Sequence, residues 1–361
     1  MAAETAEPGR EARRARGGPA RGWRGVGRAL LGLAVSLGCL VYVLRQVDLD
    51  ALWQQTRQLN LLYVLGLNLL LALSLLLRSR RWQLLLRPLR PCAFGALFSA
   101  NLIGFAANNL LPTRLGEAVR AVAGARLTGL SLGASAASIV LERMLDGPVM
   151  LAFIFAVLLC LEPGAAAGPF SAGHFRAAGW TFLVGYLAAL LGLLALARWP
   201  RPLVDPLARG LARLQPRWGA RLRRGLLAFH QGLLALGRQG LLGRLVLLSL
   251  ALRLPLLAMH WLFLPAVGLP PSLLLAALAT LGAGLASTLP AGPGYVGAYQ
   301  LAVFWALRLG DAPEPEAWAY AILYWAGQWF PLVLVGLLEA WRRGLGPGRR
   351  PADPRSPEQQ P

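Results

Sequence analysis

Charged and proline-containing segments lie inside strongly apolar stretches of this chain, where both are costly. The first is NNLLPTRLGEAVR at 108–120. Pro112 removes a backbone donor and Gly116 permits a tight turn, so a helix ending at Asn108 and Asn109 is broken there. Irregular backbone persists at membrane depth only where protein or a wet cavity satisfies it. The segment is therefore a candidate ligand site.

Three charged residues follow this break on one predicted helix face. Three positions separate Arg114 from Glu117, and three more separate Glu117 from Arg120, so two guanidinium groups can surround one carboxylate. A planar guanidinium with five donors suits a lipid phosphate. An interfacial turn with a surface ion pair is the alternative that the sequence leaves open.

A second charged group is LERMLD at 141–146, inside an apolar span. Glu142 and Asp146 are helical neighbours and Arg143 lies beside them. Each ionisable residue there costs roughly 2.5 to 3.5 kcal/mol on insertion scales, so partners or a cavity are required. Direct substrate contact and a network that pins helices together explain the pattern equally well.

Arg253 is a single cation in the apolar run LVLLSLALRLPLLAMHWL at 245–262. A charge at that depth needs a partner, and we expect Glu117, Glu142 or Asp146 to provide it. His260 in the same run has no second His or Cys at metal-binding spacing. We therefore predict neither a metal nor a cofactor.

The third segment is STLPAGPGYVGAYQ at 287–300, whose prolines and glycines rule out a continuous helix. Amides exposed at such a break, beside a new helix N-terminus, form a ready anion site. The alternative is a packing turn without a ligand. The candidate residues are Pro290, Pro293, Gly294, Gly297 and Gln300.

The composition determines the class of protein that holds these segments. Of 361 residues, 56% are hydrophobic and 14% charged, against about 25% charged in soluble domains. The net charge is +20, but the arginines stand in short segments beside apolar runs, as the positive-inside rule expects. We predict a multi-pass cell-membrane protein without a nucleic-acid partner.

The apolar pattern predicts helical spans at 29–47, 59–77, 131–161, 177–197, 245–268 and 317–340. Arginine-rich segments should be cytoplasmic, namely 1–28, 78–93, 198–244 and the C-terminus. Arginine-poor segments should lie outside, namely 45–58, 162–176 and 309–316. Both termini are then cytoplasmic. The loop 198–244, amphipathic near 221–244, should lie on anionic headgroups.

Regions 94–130 and 272–308 must each enter and leave on one side, which predicts two opposed re-entrant hairpins, unless 131–161 is itself broken in two. LLPTRLG at 110–116 and TLPAGPG at 288–294 share a pattern, as in inverted-repeat transporters. We therefore predict an all-α polytopic membrane protein with about six full spans plus two hairpins, or about eight transmembrane helices. It forms one domain over 26–343, and 1–25 and 344–361 are disordered tails.

Five segments resemble the lysylphosphatidylglycerol synthase transmembrane-region family, also called flippase-like integral membrane proteins. They are RSRRWQLLLRP at 78–88, NNLLPTRLGEAVR, LERMLD, LPAGPGYVG at 289–297 and YWAGQWFPLVLVG at 324–336. Two positions depart from the family pattern: Gln300 stands where Glu is usual, and Trp325 where Arg is usual. The departures are compatible with one missing ion pair or with a changed substrate.

The resemblance implies a lipid-handling membrane unit. Because the chain ends soon after its last predicted helix, we expect no synthetase domain, and a transporter rather than an enzyme. The leading hypothesis is translocation or binding of a phospholipid or lipid-linked headgroup, with Arg114 and Arg120 on the phosphate. The alternatives are a membrane-embedded transferase using Glu117, and an accessory scaffold for a separate lipid-modifying enzyme. An oligomer and a monomer are both compatible with the sequence.

Overall fold

The computed structural model describes residues 36–111, 115–161, 166–167, 170–237, 242–287 and 292–345. The predicted tails 1–25 and 344–361 lie outside this range, apart from Gly344 and Leu345. The described chain is helical except for a two-residue antiparallel pair, β1 (Ala166–Ala167) and β2 (Phe170–Ser171). The prediction of an all-α polytopic fold is confirmed.

Fourteen helices follow one another in the described residues. They are α1 (described over 36–46), α2 (Leu49–Gln58), α3 (Leu61–Leu86), α4 (Phe94–Leu110), α5 (Gly116–Thr128), α6 (Leu132–Cys160), α7 (Ala172–Arg198), α8 (Pro200–Leu214), α9 (Pro216–Gly237), α10 (Leu242–Ala251), α11 (Arg253–Phe263), α12 (Leu273–Ala286), α13 (Ala298–Arg308) and α14 (Glu314–Arg342). Short 3₁₀ turns stand at Pro265–Val267 and Pro293–Tyr295.

Four segments of the described chain are long and apolar enough to cross a membrane: α3, α6, the segment Gly243–Val267 and α14. α6 is unbroken over 29 residues, so the alternative of two shorter pieces at 131–161 is wrong. α10 and α11 meet at Leu252, because Pro255 cannot donate to the carbonyl of Ala251 and its ring crowds that group.

α3 extends nine residues beyond the predicted span 59–77, as far as Leu86. The segment that follows Leu77 contains no glycine or proline before Pro88, and Arg, Gln and Leu are good helix formers. The first half of 78–93 is therefore part of α3 and not a loop, and its cytoplasmic side stays a prediction. The last turns of α3 carry Arg78 and Arg81 into the protein.

α4 and α5 form a tight helical hairpin around the first break. A Cβ at Gly104 would lie 2.5 Å from Cβ of Arg120, and one at Gly116 would strike Asn108. These two contacts are symmetric about residue 112. The arms therefore run antiparallel and return to the side from which they came.

α12 and α13 form the second hairpin in the same way. A Cβ at Gly282 would lie 2.6 Å from the carbonyl oxygen of Ala302, and one at Gly310 would lie 2.8 Å from Leu275 and Leu278. The contacts are symmetric about the break near Gly292. Regions 94–130 and 272–308 are therefore each built of two helices joined by a break.

The two hairpins approach α14 from its opposite ends. Ser99 in α4 donates to Glu339 at 2.6 Å, whereas Phe304 in α13 stacks on Trp318 at 3.8 Å between ring centroids. The 3₁₀ turn of the second break contacts α4, and Trp325, in the middle of α14, donates to the Gly294 carbonyl at 2.9 Å. The ends of the two hairpins therefore meet near the middle of α14.

The helix contacts of the first half of the chain are repeated in the second half. α3 packs on α4 as α11 packs on α12, and α5 packs on α6 as α13 packs on α14. Each hairpin also packs on the long helix that follows the other one, α4 on α14 and α12 on α6. This pattern is what an inverted repeat requires.

The region 198–244 is more helical than predicted, since its described residues form α8, α9 and the start of α10. Prolines open both α8 and α9, where a missing donor costs nothing. Arg223 pairs with Asp205 at 2.8 Å between the two helices. Leu203 and Leu207 stay exposed on α8, as in a helix lying at a membrane interface.

The hairpin contact at Gly104 generates a stability prediction. Gly104→Ala places a methyl group against the Arg120 backbone and side chain, so the arms of the first hairpin must separate. We expect a loss of about 1–3 kcal/mol, measured as a lower thermal unfolding midpoint in detergent. Gly95→Ala is the matched control, because a Cβ at Gly95 in the same helix meets nothing within 4 Å. Equal midpoints for the two variants would contradict the close packing.

Candidate functional site

The centre of the molecule holds an ion-pair network built on α6. Glu142 and Asp146 lie one turn apart near the middle of this helix, which is about 43 Å long at 1.5 Å per residue. Glu142 is 1% exposed. A carboxylate this far inside an apolar helix is stable only with partners.

Arg81 of α3 is the partner that joins both carboxylates. Its Nη2 atom lies 3.3 Å from Glu142 Oε1 and 3.2 Å from Asp146 Oδ2, and its Nη1 atom contacts Asp146 Oδ1 and donates to Ser249 at 2.7 Å. Arg81 is fully buried. It connects α3, α6 and α10 through one guanidinium group.

Sequence reasoning missed Arg81, because it counted this residue among the basic residues of a cytoplasmic segment. The signal was present in the helical spacing. Arg81 and Trp82 precede Leu85 and Leu86 on the buried face of α3, and Asn101 donates to Ser79 at 2.7 Å on the same face. A helix continued to its first proline would have placed Arg81 among buried residues.

Arg120 occupies the second position in the network. Its Nη2 atom lies 2.5 Å from Glu142 Oε2 and its Nη1 atom 3.7 Å from Glu117 Oε2, and the guanidinium stacks over Trp82 at 4.2 Å. The contact with Glu142 is an ion pair without a hydrogen bond, because neither Arg120 Nη2 nor Glu142 Oε2 has a hydrogen-bond partner. Arg120 therefore joins Glu117 to Glu142, and its contact with a lipid phosphate stays a prediction.

Arg143 and Glu117 form the accessible edge of the network. They are in contact, and Arg143 Nη1 also lies 3.9 Å from Asp146 Oδ2. The Arg143 side chain is 47% exposed and that of Glu117 is 28% exposed, against 3% or less for Arg81, Arg120 and Glu142. A ligand can therefore reach the network from this edge.

Several buried polar atoms near this edge lack a hydrogen-bond partner. They include the Nε atoms of Arg81 and Arg120, and Oδ1 of Asn108 at the first break. Buried donors and acceptors in proteins are nearly always satisfied, so such atoms indicate a place for water or ligand. Asn109 instead donates to the Phe105 carbonyl at 3.0 Å. Pro112 and Arg114 lie outside the described residues.

The expectation that Arg253 pairs with Glu117, Glu142 or Asp146 is wrong. The contact of its Nη1 atom is the sulfur of Met150 at 3.6 Å, and all three carboxylates are taken by Arg81, Arg120 and Arg143. Arg253 is the first residue of α11, directly after the kink at Leu252.

Hydrogen bonds hold two backbone amides of the second break in its described part, Gly292–Gln300. Gly292 N donates to Ser36 at 2.7 Å, and Gly297 N donates to the Gln300 side chain at 2.7 Å. Gly294 has a φ of 68° and lies against Trp329, where a side chain would be strained and crowded. Pro293 opens the 3₁₀ turn, and Pro290 lies outside the described residues.

These contacts favour the packing-turn alternative for the second break over an anion site made of free amides. They also explain the two departures from the family pattern. Gln300 caps the first turn of α13, and Trp325 donates to the Gly294 carbonyl. Both residues hold the second break together without charge.

The arrangement is suited to electrostatic binding. No cluster of His, Cys, Asp and Glu able to hold a metal occurs among the residues that the structure describes. The network instead gathers guanidinium groups, an open edge and unsatisfied donors around the first hairpin. Guanidinium groups are side chains suited to binding an anionic oxygen-rich group such as phosphate.

Comparison with known proteins agrees with this geometry. A family model described as the lysylphosphatidylglycerol synthase TM region matches residues 29–336. That range includes both hairpins, the ion-pair network and nearly all of α14. A search for similar curated proteins finds no match.

Substitution of Arg81 tests how much the network contributes to the stability of the folded protein. Arg81→Gln leaves Glu142 and Asp146 short of a buried partner, and we expect a loss of stability of about 3–5 kcal/mol, seen as a large fall in the thermal midpoint. Arg80→Gln is the control, because the neighbouring Arg80 is exposed and contacts Gln83 on the helix surface. Similar midpoints for the two variants would contradict a central role for Arg81.

Proposed function

The chain belongs to the lysylphosphatidylglycerol synthase transmembrane-region family, and from that premise we propose that it translocates a phosphate-bearing lipid headgroup. The headgroup passes the ion-pair network while the acyl or prenyl tails stay in the bilayer. The observation that carries the proposal is the buried network with an open edge at Glu117 and Arg143, halfway along a spanning helix.

The arrangement of the hairpins supports movement across the bilayer. With α14 spanning the membrane, hairpins that approach it from opposite ends enter from opposite leaflets. Their meeting point near Trp325 then lies at mid-membrane, where transporters with inverted repeats bind substrate. Rocking of one half against the other alternates access to the network.

The transferase alternative receives less support. A general base must be free to accept a proton within hydrogen-bonding reach of its target. Glu117 instead contacts Arg143 and lies 3.7 Å from Arg120, so two cations make protonation of its carboxylate unfavourable and leave it a weak base. The other candidate carboxylates, Glu142 and Asp146, are engaged with buried Arg81.

Reconstitution in liposomes with labelled phospholipids tests the proposal. We expect the labelled headgroup to move between leaflets without covalent change, and Glu117→Gln to abolish this movement by releasing Arg143 and Arg120. The control is Glu314→Gln, an equal change of charge at the exposed start of α14. A new lipid product would favour the transferase. Movement that survives Glu117→Gln would exclude the network as the path.

A separate experiment tests the membrane topology, with the cell membrane as the expected location and both termini cytoplasmic. Single cysteines are introduced at exposed Gly133 and exposed Glu314, after Cys39, Cys92 and Cys160 are replaced by alanine. We expect an impermeant maleimide to label Gly133→Cys from the cytoplasmic side and Glu314→Cys from the outside. Labelling of both from one side would contradict hairpins that enter from opposite leaflets.

A further inference from the structure

The charge balance of the network specifies the headgroup more closely. We propose that the site takes a headgroup with two negative charges, such as a phosphomonoester or a diphosphate, and that Arg78 and Arg253 receive it. This inference rests on the proposed function and adds a substrate class to it.

Three of the arginines are already neutralised. Arg81, Arg120 and Arg143 share Glu117, Glu142 and Asp146 in ion pairs of 3.9 Å or less. Three cations and three anions balance. The network by itself therefore carries no net charge and offers little attraction to an anion.

Arg78 and Arg253 add two uncompensated charges to this neutral group. Both are half-buried. Arg78 lies over the ring of Phe105 at 5.2 Å, and Arg253 contacts the sulfur of Met150. Among the described residues, which do not include Arg114, no carboxylate lies at ion-pair distance from either arginine.

The two arginines belong to the same electrostatic site. Arg78 stands one helical turn before Arg81 on α3, and Arg253 contacts Met150, one turn after Asp146 on α6, while Arg81 and Asp146 contact each other. Five arginines and three carboxylates then give the described part of the site a net charge of +2. At membrane depth such an excess is costly, and a doubly charged anion removes it.

This balance predicts an order of preference among lipids. A phosphomonoester or diphosphate neutralises both arginines, a phosphodiester only one, and a zwitterionic headgroup neither. A headgroup with a net positive charge is repelled. Lysylphosphatidylglycerol, which gives the family its name, carries two ammonium groups and one phosphate, so we expect this chain to discriminate against it.

The test measures binding to the purified full-length chain in nanodiscs of phosphatidylcholine at pH 7. Labelled phosphatidic acid, a phosphomonoester, is displaced by unlabelled phosphatidic acid, phosphatidylglycerol or lysylphosphatidylglycerol. We expect phosphatidic acid to compete about tenfold better than phosphatidylglycerol, and lysylphosphatidylglycerol to compete worst. The factor corresponds to about 1.4 kcal/mol, a modest value for one extra charge pair.

Variants assign the preference to the two arginines. Arg78→Gln and Arg253→Gln should each reduce the preference for phosphatidic acid, and the double variant should abolish it. Arg80→Gln removes the same charge from exposed α3 surface and should leave the preference intact. Arg78→Lys and Arg253→Lys keep the charge and should retain most of it, which separates loss of charge from misfolding.

The outcomes distinguish this inference from the proposed function. Translocation without any preference for the doubly charged lipid, or with equal effects of Arg78→Gln and Arg80→Gln, would overturn the inference and leave the transport proposal standing. Charge-selective binding without translocation would support the inference and overturn the transport proposal. Tightest binding of lysylphosphatidylglycerol would overturn the charge assignment.

Discussion

The buried pairing of Arg81 with Glu142 and Asp146 is the interaction on which the arrangement of the first half depends. An unpaired carboxylate inside α6 would make that helix costly to insert, and an unpaired Arg81 would do the same for α3. Together they fix the relative position of the two helices. Arg120 extends the constraint to α5, because it reaches Glu142 from the first hairpin while stacking on Trp82. The buried network therefore joins α3, α5 and α6.

Close packing at glycines is the second constraint, and it is what allows the chain to reverse inside the protein. Gly104 and Gly116 bring α4 and α5 together, and Gly282 does the same for α12 and α13. Such short distances leave little room for lipid between α4 and α5, or between α12 and α13. Gly336 continues the pattern on α14, where a Cβ would lie 2.8 Å from the Leu102 carbonyl oxygen of α4. Small residues thus set the contact between one hairpin and the helix that follows the other.

The sequence predicted the helical class, both breaks and the charged group on α6, since apolar runs, prolines and the intramembrane cost of charge are all local signals. It also predicted that Glu117, Arg120 and the α6 residues act together. It failed where the answer lay in a distant helix. Arg81 was assigned to a loop because the positive-inside rule counts arginines without asking whether the helix continues. Arg253 was assigned a carboxylate because the number of competing arginines was unknown until the fold brought them together.

The two halves of the repeat share their packing but differ in chemistry. Glu117 is the second residue of α5 and Glu142 the eleventh of α6, and the corresponding residues of α13 and α14 are Tyr299 and Tyr324. Tyr324 stacks on His260 at 4.3 Å, within a buried aromatic cluster. The first half therefore packs around charged side chains, and the second half packs around uncharged aromatic rings. Gln300 and Trp325 fit this division, because an acid and a base at those positions would create a second charged centre beside a break already held by uncharged hydrogen bonds. Among the described residues, the buried ion pairs therefore belong to the first half of the chain, and the packing of the two halves is alike without a shared charge pattern.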